Sequence, residues 1–197
     1  IIDNNFDLDI IVIDDGSVEP FDTKYSNITI LRNNINRGKG YSLRKGLKFA
    51  GINLYSHAIT LDADLQHNPL EIKKFLLIKS GFDIVFGFRE RTKSMPISRR
   101  FSNFITSFIV SSFVGQKIID SQCGFRMYDI NKVNKFKFIE DGFQFETEVI
   151  IKSINKEAKI KQLKIETIYD VNNKSYINHV SDTLKFIRLI LRHLLWR

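Results

Sequence analysis

Short apolar runs and longer stretches with helical spacing alternate along the chain. Leu8–Ile13, Ile28–Leu31, His57–Leu61 and Phe82–Phe88 are brief runs bounded by polar turns, which predicts strands buried in a sheet. Between them, Leu43, Leu47 and Ala50 recur at helical intervals, and Ile72, Phe75, Leu76 and Ile78 give apolar surface to a helix from Leu70 to about Lys79. Phe101–Val114 is apolar with scattered Ser, Thr and Asn. It is shorter than the roughly 18–20 residues a bilayer crossing needs and reads as a buried or interfacial helix. Gln144–Asn155 predicts a further helix through Val149, Ile150 and Ile154, and Ala158–Tyr169 a final strand. From Ser181 to Arg197 the pattern is amphipathic. Ser181, Lys185, Arg188 and Arg192 form a polar stripe, opposed by Leu184, Ile187, Leu191, Leu194 and Leu195 with Trp196 near the end. Basic residues, apolar residues and a terminal Trp suit a helix lying in a membrane interface, although a helix packed on the domain has the same moment.

The pattern breaks most informatively at Asp62-Ala63-Asp64-Leu65-Gln66-His67. The run before it predicts a buried strand, and Asn68-Pro69 after it signals a turn and a helix start. Alternate residues of a strand project to one side, so Asp62 and Asp64 are expected to face one ligand, with Gln66 adding a neutral oxygen. In open α/β sheets ligands bind at the carboxyl ends of strands. Two adjacent carboxylates repel unless a cation lies between them, and Mg²⁺ or Mn²⁺ takes such ligands together with substrate phosphates. The plainer alternative makes Asp64 a helix cap and Asp62 a solvated side chain.

Composition narrows the partners. The 197 residues suit one domain with a real core, and the net charge of +8 points to an anionic partner such as phosphates, nucleic acid or a membrane surface. The single cysteine, Cys123, excludes an internal disulfide and fits a reducing compartment. No run is long enough for a transmembrane helix, and no signal peptide is expected.

Other strand ends carry chemistry too. Leu8–Ile13 runs into Asp14-Asp15-Gly16-Ser17, where acids beside a flexible glycine accept hydrogen bonds from a base or sugar, or simply make a good turn. Gly38-Lys39-Gly40 at a helix start offers backbone N–H groups and a cation to a diphosphate, though it is not a Walker A loop. The long basic segment Arg89–Arg100 suits a phosphorylated acceptor, or is a solvated loop. Asp120–Arg126 reads as a polar turn carrying one arginine, with Cys123 a small buried residue. Glu146 is the one helix carboxylate suited to general-base work, unless it is merely exposed.

In sequence order, Val12–Ser17, Asn36–Gly40, Asp62–His67, Ser98–Asn103 and Asp120–Arg126 resemble the motifs of the family 2 glycosyltransferases. The polyprenyl-phosphate branch, with dolichyl-phosphate mannosyltransferase and undecaprenyl-phosphate sugar transferases, is the most similar. Thr167-Ile168-Tyr169 and Lys174-Ser175 resemble its C-terminal part. The resemblance implies the nucleotide-diphospho-sugar transferase (GT-A-like) fold, a three-layer α/β/α sandwich, over residues 1–180, to which the amphipathic spacing adds the helix 181–197, interfacial or packed on the domain. It implies an inverting, metal-dependent transfer from a nucleotide-diphosphate sugar to a polyprenyl phosphate, at the inner face of the plasma membrane and without nucleic acid. Asp14 and Asp15 would then contact base and ribose, Lys39 the diphosphate, and Asp62, Asp64 and Gln66 the Mg²⁺ or Mn²⁺. Arg99, Arg100 and Arg126 would hold the acceptor phosphate. Transfer to a saccharide hydroxyl, with Glu146 as base, is the alternative within the family; a non-catalytic basic binding module is the alternative outside it. Family members open with a further strand and a loop that cradles the base, whereas this sequence starts at Ile1-Ile2-Asp3, so an unpaired sheet edge is expected.

Overall fold

The computed structural model describes residues 6–78, 81–91, 95–168 and 179–195. Strands β1 (Ile10–Asp14) and β2 (Ile28–Arg32) pair in parallel, from Ile10 opposite Ile28 to Asp14 opposite Arg32. A second sheet has the order β3-β5-β4-β6. In it β5 (Arg126–Asp129) runs antiparallel to both β3 (His57–Thr60) and β4 (Ile84–Arg89), while β4 and β6 (Ile160–Ile165) are parallel. Among the described residues β1 pairs with β2 alone and β3 with β5 alone, so each keeps one open edge. Helix α1 (Lys39–Ile52) packs on both β1 and β3 and joins the two sheets.

The period-two alternation of β4 and β5 sorts the core into two layers. Ile84, Phe86 and Tyr128 meet Leu47 and Ala50 of α1, Val110 of α3 (Ile97–Val114), and Val149 and Ile150 of α5 (Phe145–Asn155). On the opposite face Val85 and Met127 meet Ile72 and Phe75 of α2 (Ile72–Leu77), with Phe125 and Ile165. Helices therefore cover both faces of the sheet, the expected three layers.

The helix after the aspartate pair starts as the sequence predicts: Asn68 Oδ1 accepts from the Leu70 N–H at 3.0 Å and Pro69 opens a single 3₁₀ turn before α2. Three elements differ from expectation. β5, the strand between β3 and β4, starts on Arg126, the last residue of the stretch read as a turn; its four residues begin and end on charged side chains, which hides the period. A four-residue helix α4 (Ile130–Val133) follows, its N–H groups at Asn131 and Lys132 donating to Asp129 Oδ1. Helix α3 begins at Ile97, straight after Pro96, rather than at Phe101, so Arg99 and Arg100 belong to its first turn and not to a loop. The last helix, α6, is His179–Leu195, anchored by the buried Leu189 and by an ion pair of 2.7 Å between Arg192 and Glu140. The expectations on Tyr169, Lys174, Ser175, Trp196 and Arg197 lie outside the described residues.

Candidate active site

The two acids after β1 are turned inward, toward their own loop. Asp14 accepts from the Ser17 N–H at 2.9 Å and the Phe21 N–H at 3.2 Å and pairs with the Arg32 guanidinium. The Ser17 hydrogen bonds first, then Phe21 and Arg32, pull its carboxyl down to about 2. Asp15 accepts from Asn33 Nδ2 at 2.7 Å and from the N–H groups of Arg37 at 2.9 Å and Gly38 at 2.8 Å. Burial works against its charge, yet these donors hold its carboxyl below the usual range. Asp15 thus fills the anion position at the approach to α1 where the sequence predicts a diphosphate. The flanking glycines serve close packing instead. A Cβ on Gly40 would lie 2.4 Å from the Glu140 carbonyl oxygen and 2.8 Å from Phe145 Cβ, and one on Gly38 2.4 Å from the Asp141 oxygen.

Lys39 does project into the site. Its Nζ lies 2.7 Å from Asp62 Oδ1 and 2.6 Å from Glu146 Oε1. Burial disfavours the ammonium, but the facing Glu146 and Asp62 carboxylates outweigh it and raise the pKa above the ordinary lysine value. Asp62 is lowered in turn: its own burial is outweighed by Lys39. The carboxylate rests over the backbone at Gly124, where a Cβ would come 2.7 Å from Oδ2. That contact explains the glycine in Gly124-Phe125-Arg126. Beneath it the buried His67 accepts the Asp62 N–H at Nδ1, 3.4 Å away, and burial lowers its pKa.

Because β3 ends at Thr60, both aspartates sit in the bend beyond it, and strand alternation does not orient them. Asp64 is exposed, with Oδ1 accepting the Gln66 N–H at 3.1 Å. Gln66 is buried, and its Oε1 accepts from Arg99 Nη1 at 3.4 Å. Among the described residues no three His, Cys, Asp or Glu side chains cluster to hold a metal by themselves. The donor chemistry nevertheless suits a hard cation, with Gln66 Oε1 turned from Arg99 to join it. A cationic group, the Lys39 ammonium, already lies against Asp62, and two carboxylates plus an amide oxygen are the donor type for Mg²⁺ or Mn²⁺ when diphosphate oxygens complete the shell.

Two expectations about charged residues are corrected. Arg126 is fully buried: Nε donates to the Cys123 carbonyl at 2.8 Å, Nη1 to Glu146 at 2.7 Å and Nη2 to Ser121 at 3.1 Å, while Phe86 stacks 4.9 Å from the guanidinium. It ties β5 to α5 and has no surface on which to grip an acceptor. Glu146 is not an exposed helix residue but is 2% accessible, with Oε2 lacking any hydrogen-bond partner. Arg99 and Arg100 are half-buried on α3. One residue escaped the sequence reading. Asp120 accepts from Arg89 Nε at 2.7 Å, Asn103 Nδ2 at 2.6 Å and the Gln122 N–H at 3.0 Å, and so fixes the end of β4 to α3. Its signal was an acid opening the same stretch that carries Arg126, across from an arginine that closes a strand.

Residues 2–143 match the model of the glycosyl transferase family 2. The uncharacterized protein MJ0544 of Methanocaldococcus jannaschii is 35% identical over 86% of this chain and 81% of its own length. The chain belongs to glycosyltransferase family 2. Its relatives include the UDP-N-acetylglucosamine–dolichyl-phosphate N-acetylglucosaminyltransferase of Methanococcus voltae, 29% identical over 72% of this chain and 60% of that enzyme. This is the branch that the motifs resemble. Glucosyl-3-phosphoglycerate synthase of Mycobacterium tuberculosis, solved with Mn²⁺, UDP-glucose and phosphoglyceric acid, superposes with a TM-score of 0.70 at 17% identity, over 92% of this chain and 67% of that one. The fold is accordingly the GT-A glycosyltransferase fold, and the protein is a family 2 glycosyltransferase.

Proposed function

We propose that this glycosyltransferase passes a sugar, with inversion and with a divalent metal, from a nucleotide-diphosphate donor to a polyprenyl phosphate at the inner face of the plasma membrane. The observation that carries the acceptor is the basic first turn of α3, where Arg99 reaches Gln66 of the aspartate turn at 3.4 Å. A second anion is thereby accommodated next to the donor's. Relatives that act on dolichyl phosphate support the same acceptor class.

Asp62, Asp64 and Gln66 would hold the metal, which when bound supplies Lewis-acid stabilisation to the departing diphosphate. Lys39, released from Asp62, neutralises the same developing charge. Arg99 and Arg100 hold the acceptor phosphate. A phosphate monoester is largely dianionic at pH 7, its second pKa being about 6. Its oxygen forms the bond to the anomeric carbon as the bond to the diphosphate breaks and the electron pair leaves with the nucleotide. No proton moves, so no side-chain base is required. Asp14 and Asp15 shape the loop facing the nucleoside, and their roles toward base and ribose run through that loop. A second reading, transfer to a saccharide hydroxyl, draws on Glu146, whose partnerless Oε2 is the carboxylate oxygen in the site suited to accept a proton.

The deciding experiment is a transfer assay with Mn²⁺ or Mg²⁺, undecaprenyl phosphate and a panel of UDP- and GDP-sugars. Transfer to lipid is expected, abolished by Asp64→Ala, with Arg99→Ala raising the acceptor KM by about tenfold through loss of a charge-assisted contact. Donor turnover without lipid product would overturn the lipid acceptor and make Glu146→Gln the decisive variant. No Mn²⁺- and nucleotide-dependent thermal stabilisation would leave a binding module.

A further inference from the structure

The Lys39 ammonium stands between two carboxylates in unequal surroundings. Glu146, 2.6 Å from Nζ, has a side chain only 3% exposed, whereas that of Asp62, 2.7 Å away on the other side, is 29% exposed. Both are held from behind. In the first turn of α5 the Glu146 carbonyl accepts from Arg126 Nη1 at 2.7 Å, and the Asp62 carboxylate lies against the backbone at Gly124. The start of α1 is fixed as well, by the Gly38 N–H on Asp15 at 2.8 Å and by the close approach of Gly40 to the Glu140 carbonyl and to Phe145. The lysine stem, four methylenes on rotatable bonds, is the adjustable part of the cluster.

An ammonium in contact with Asp62 fills the place of a metal ligated by the same carboxylate. Two cations pressed on one carboxylate repel each other. A diphosphate removes the conflict, because its oxygens ligate the metal and also accept from the ammonium. Burial decides which of the two ion pairs then opens. Parting from Glu146 would strand a carboxylate that water does not reach, which is strongly unfavourable. Parting from Asp62 leaves the more exposed carboxylate, and leaves it to the metal.

We infer that Lys39 is a placeholder for the metal on Asp62, and that Glu146 is the positioning residue that keeps the ammonium in the site when the diphosphate draws it away. This rests on the metal reading above and deepens it. Metal alone has to displace Lys39 and binds weakly, whereas metal and nucleoside diphosphate bind as a pair, each strengthening the other by the same factor. In this role Glu146 stays ionised and takes no proton.

The test is Mn²⁺ binding, read from loss of the free-ion signal in electron paramagnetic resonance, without nucleotide and with UDP or GDP, each against a protein-free control. Wild type is compared with Lys39→Gln and with the double variant Lys39→Met, Glu146→Gln, which removes one charge of each sign and so leaves the net charge unchanged. Wild type is expected to bind Mn²⁺ weakly alone and about tenfold or more tighter with the nucleotide it accepts. Both variants are expected to bind Mn²⁺ alone about tenfold more tightly than wild type, and to gain correspondingly less from nucleotide. Glu146→Gln by itself should act the opposite way, weakening Mn²⁺ binding without nucleotide, because the ammonium then has Asp62 alone to hold. Equal or tighter binding by that variant overturns the positioning role. Circular dichroism checks that each variant is folded. The double variant, which strands no carboxylate at Glu146, carries the test should Lys39→Gln unfold, and it decides where the two disagree. Nucleotide-free Mn²⁺ affinity that is unchanged or weaker in the double variant overturns the proposal and makes the three groups a fixed bridge, while wild-type Mn²⁺ binding keeps the metal reading standing. A wild type that takes up no Mn²⁺ with either nucleotide overturns the metal reading and this proposal with it.

Discussion

Lys39 and Arg126 carry the same charge to opposite ends. Lys39 balances two carboxylates at the edge of the site, whereas Arg126 satisfies three carbonyls inside the fold. Arg126→Met is therefore expected to destabilise by about 3 kcal/mol or more, because buried acceptors lose their donors; urea unfolding measures it. Lys39→Met is expected to cost about 3–5 kcal/mol by stranding the buried Glu146 carboxylate, and Glu146→Gln in that background should restore part of the loss. Asp14 reports on acid. Its folded pKa of about 2 lies below the ordinary 3.8, so the stability it contributes is complete above about pH 4 and lost as the pH falls toward 2. Thermal melts of Asp14→Asn between pH 5 and 2 should show a flatter acid limb than wild type. Sequence marked Asp62, Asp64 and Gln66 because they follow an apolar run, and Lys39 because glycines flank it at a helix start. It could not pair Lys39 with Glu146, or bury Arg126, because both depend on contacts between distant segments that no spacing rule records.

At the level of elements, glycines set how closely segments approach. Gly40 has no positive φ to explain it; its hydrogen faces the Glu140 carbonyl, and a methyl there would stand 2.4 Å from backbone oxygen. Gly40→Ala is expected to cost about 1–3 kcal/mol by overpacking, lowering Tm by roughly 2–4 °C per kcal/mol. The strain falls where α1 meets the segment leading to α5, so calorimetry should show the loss and donor affinity should fall with it. Strands with unbroken apolar runs, β1 to β4, were legible within a residue or two. β5 was not, because a strand of four residues with Arg126 and Asp129 at its ends has no period to read. The face that α3 presents to the core was equally hidden. Periodicity shows that a helix has two sides, but only the partners of Asn103 and Ser107 say which side is inside.

Across the whole molecule, the three layers followed from the alternation of strands and helices, and the division of the sheet did not follow from any one segment. Among the described residues the parallel pair β1–β2 is not hydrogen-bonded into the larger sheet, and α1 packs on both. Two strands alone are marginal in water. Native-state hydrogen exchange is therefore expected to resolve two cooperative units, the amides of β1 and β2 opening at a lower free energy than those of β4 and β6. The loops after β1 and β2 that shape the proposed nucleotide site belong to the weaker unit. A donor present at 100 times its Kd would add about 2.7 kcal/mol to the state that binds it, and protection in β1 and β2 should rise before protection in β4 and β6 changes. The nucleotide sugar would then complete the folding of the half that recognises it, and scarcity of donor would be felt first as local unfolding rather than as slow turnover.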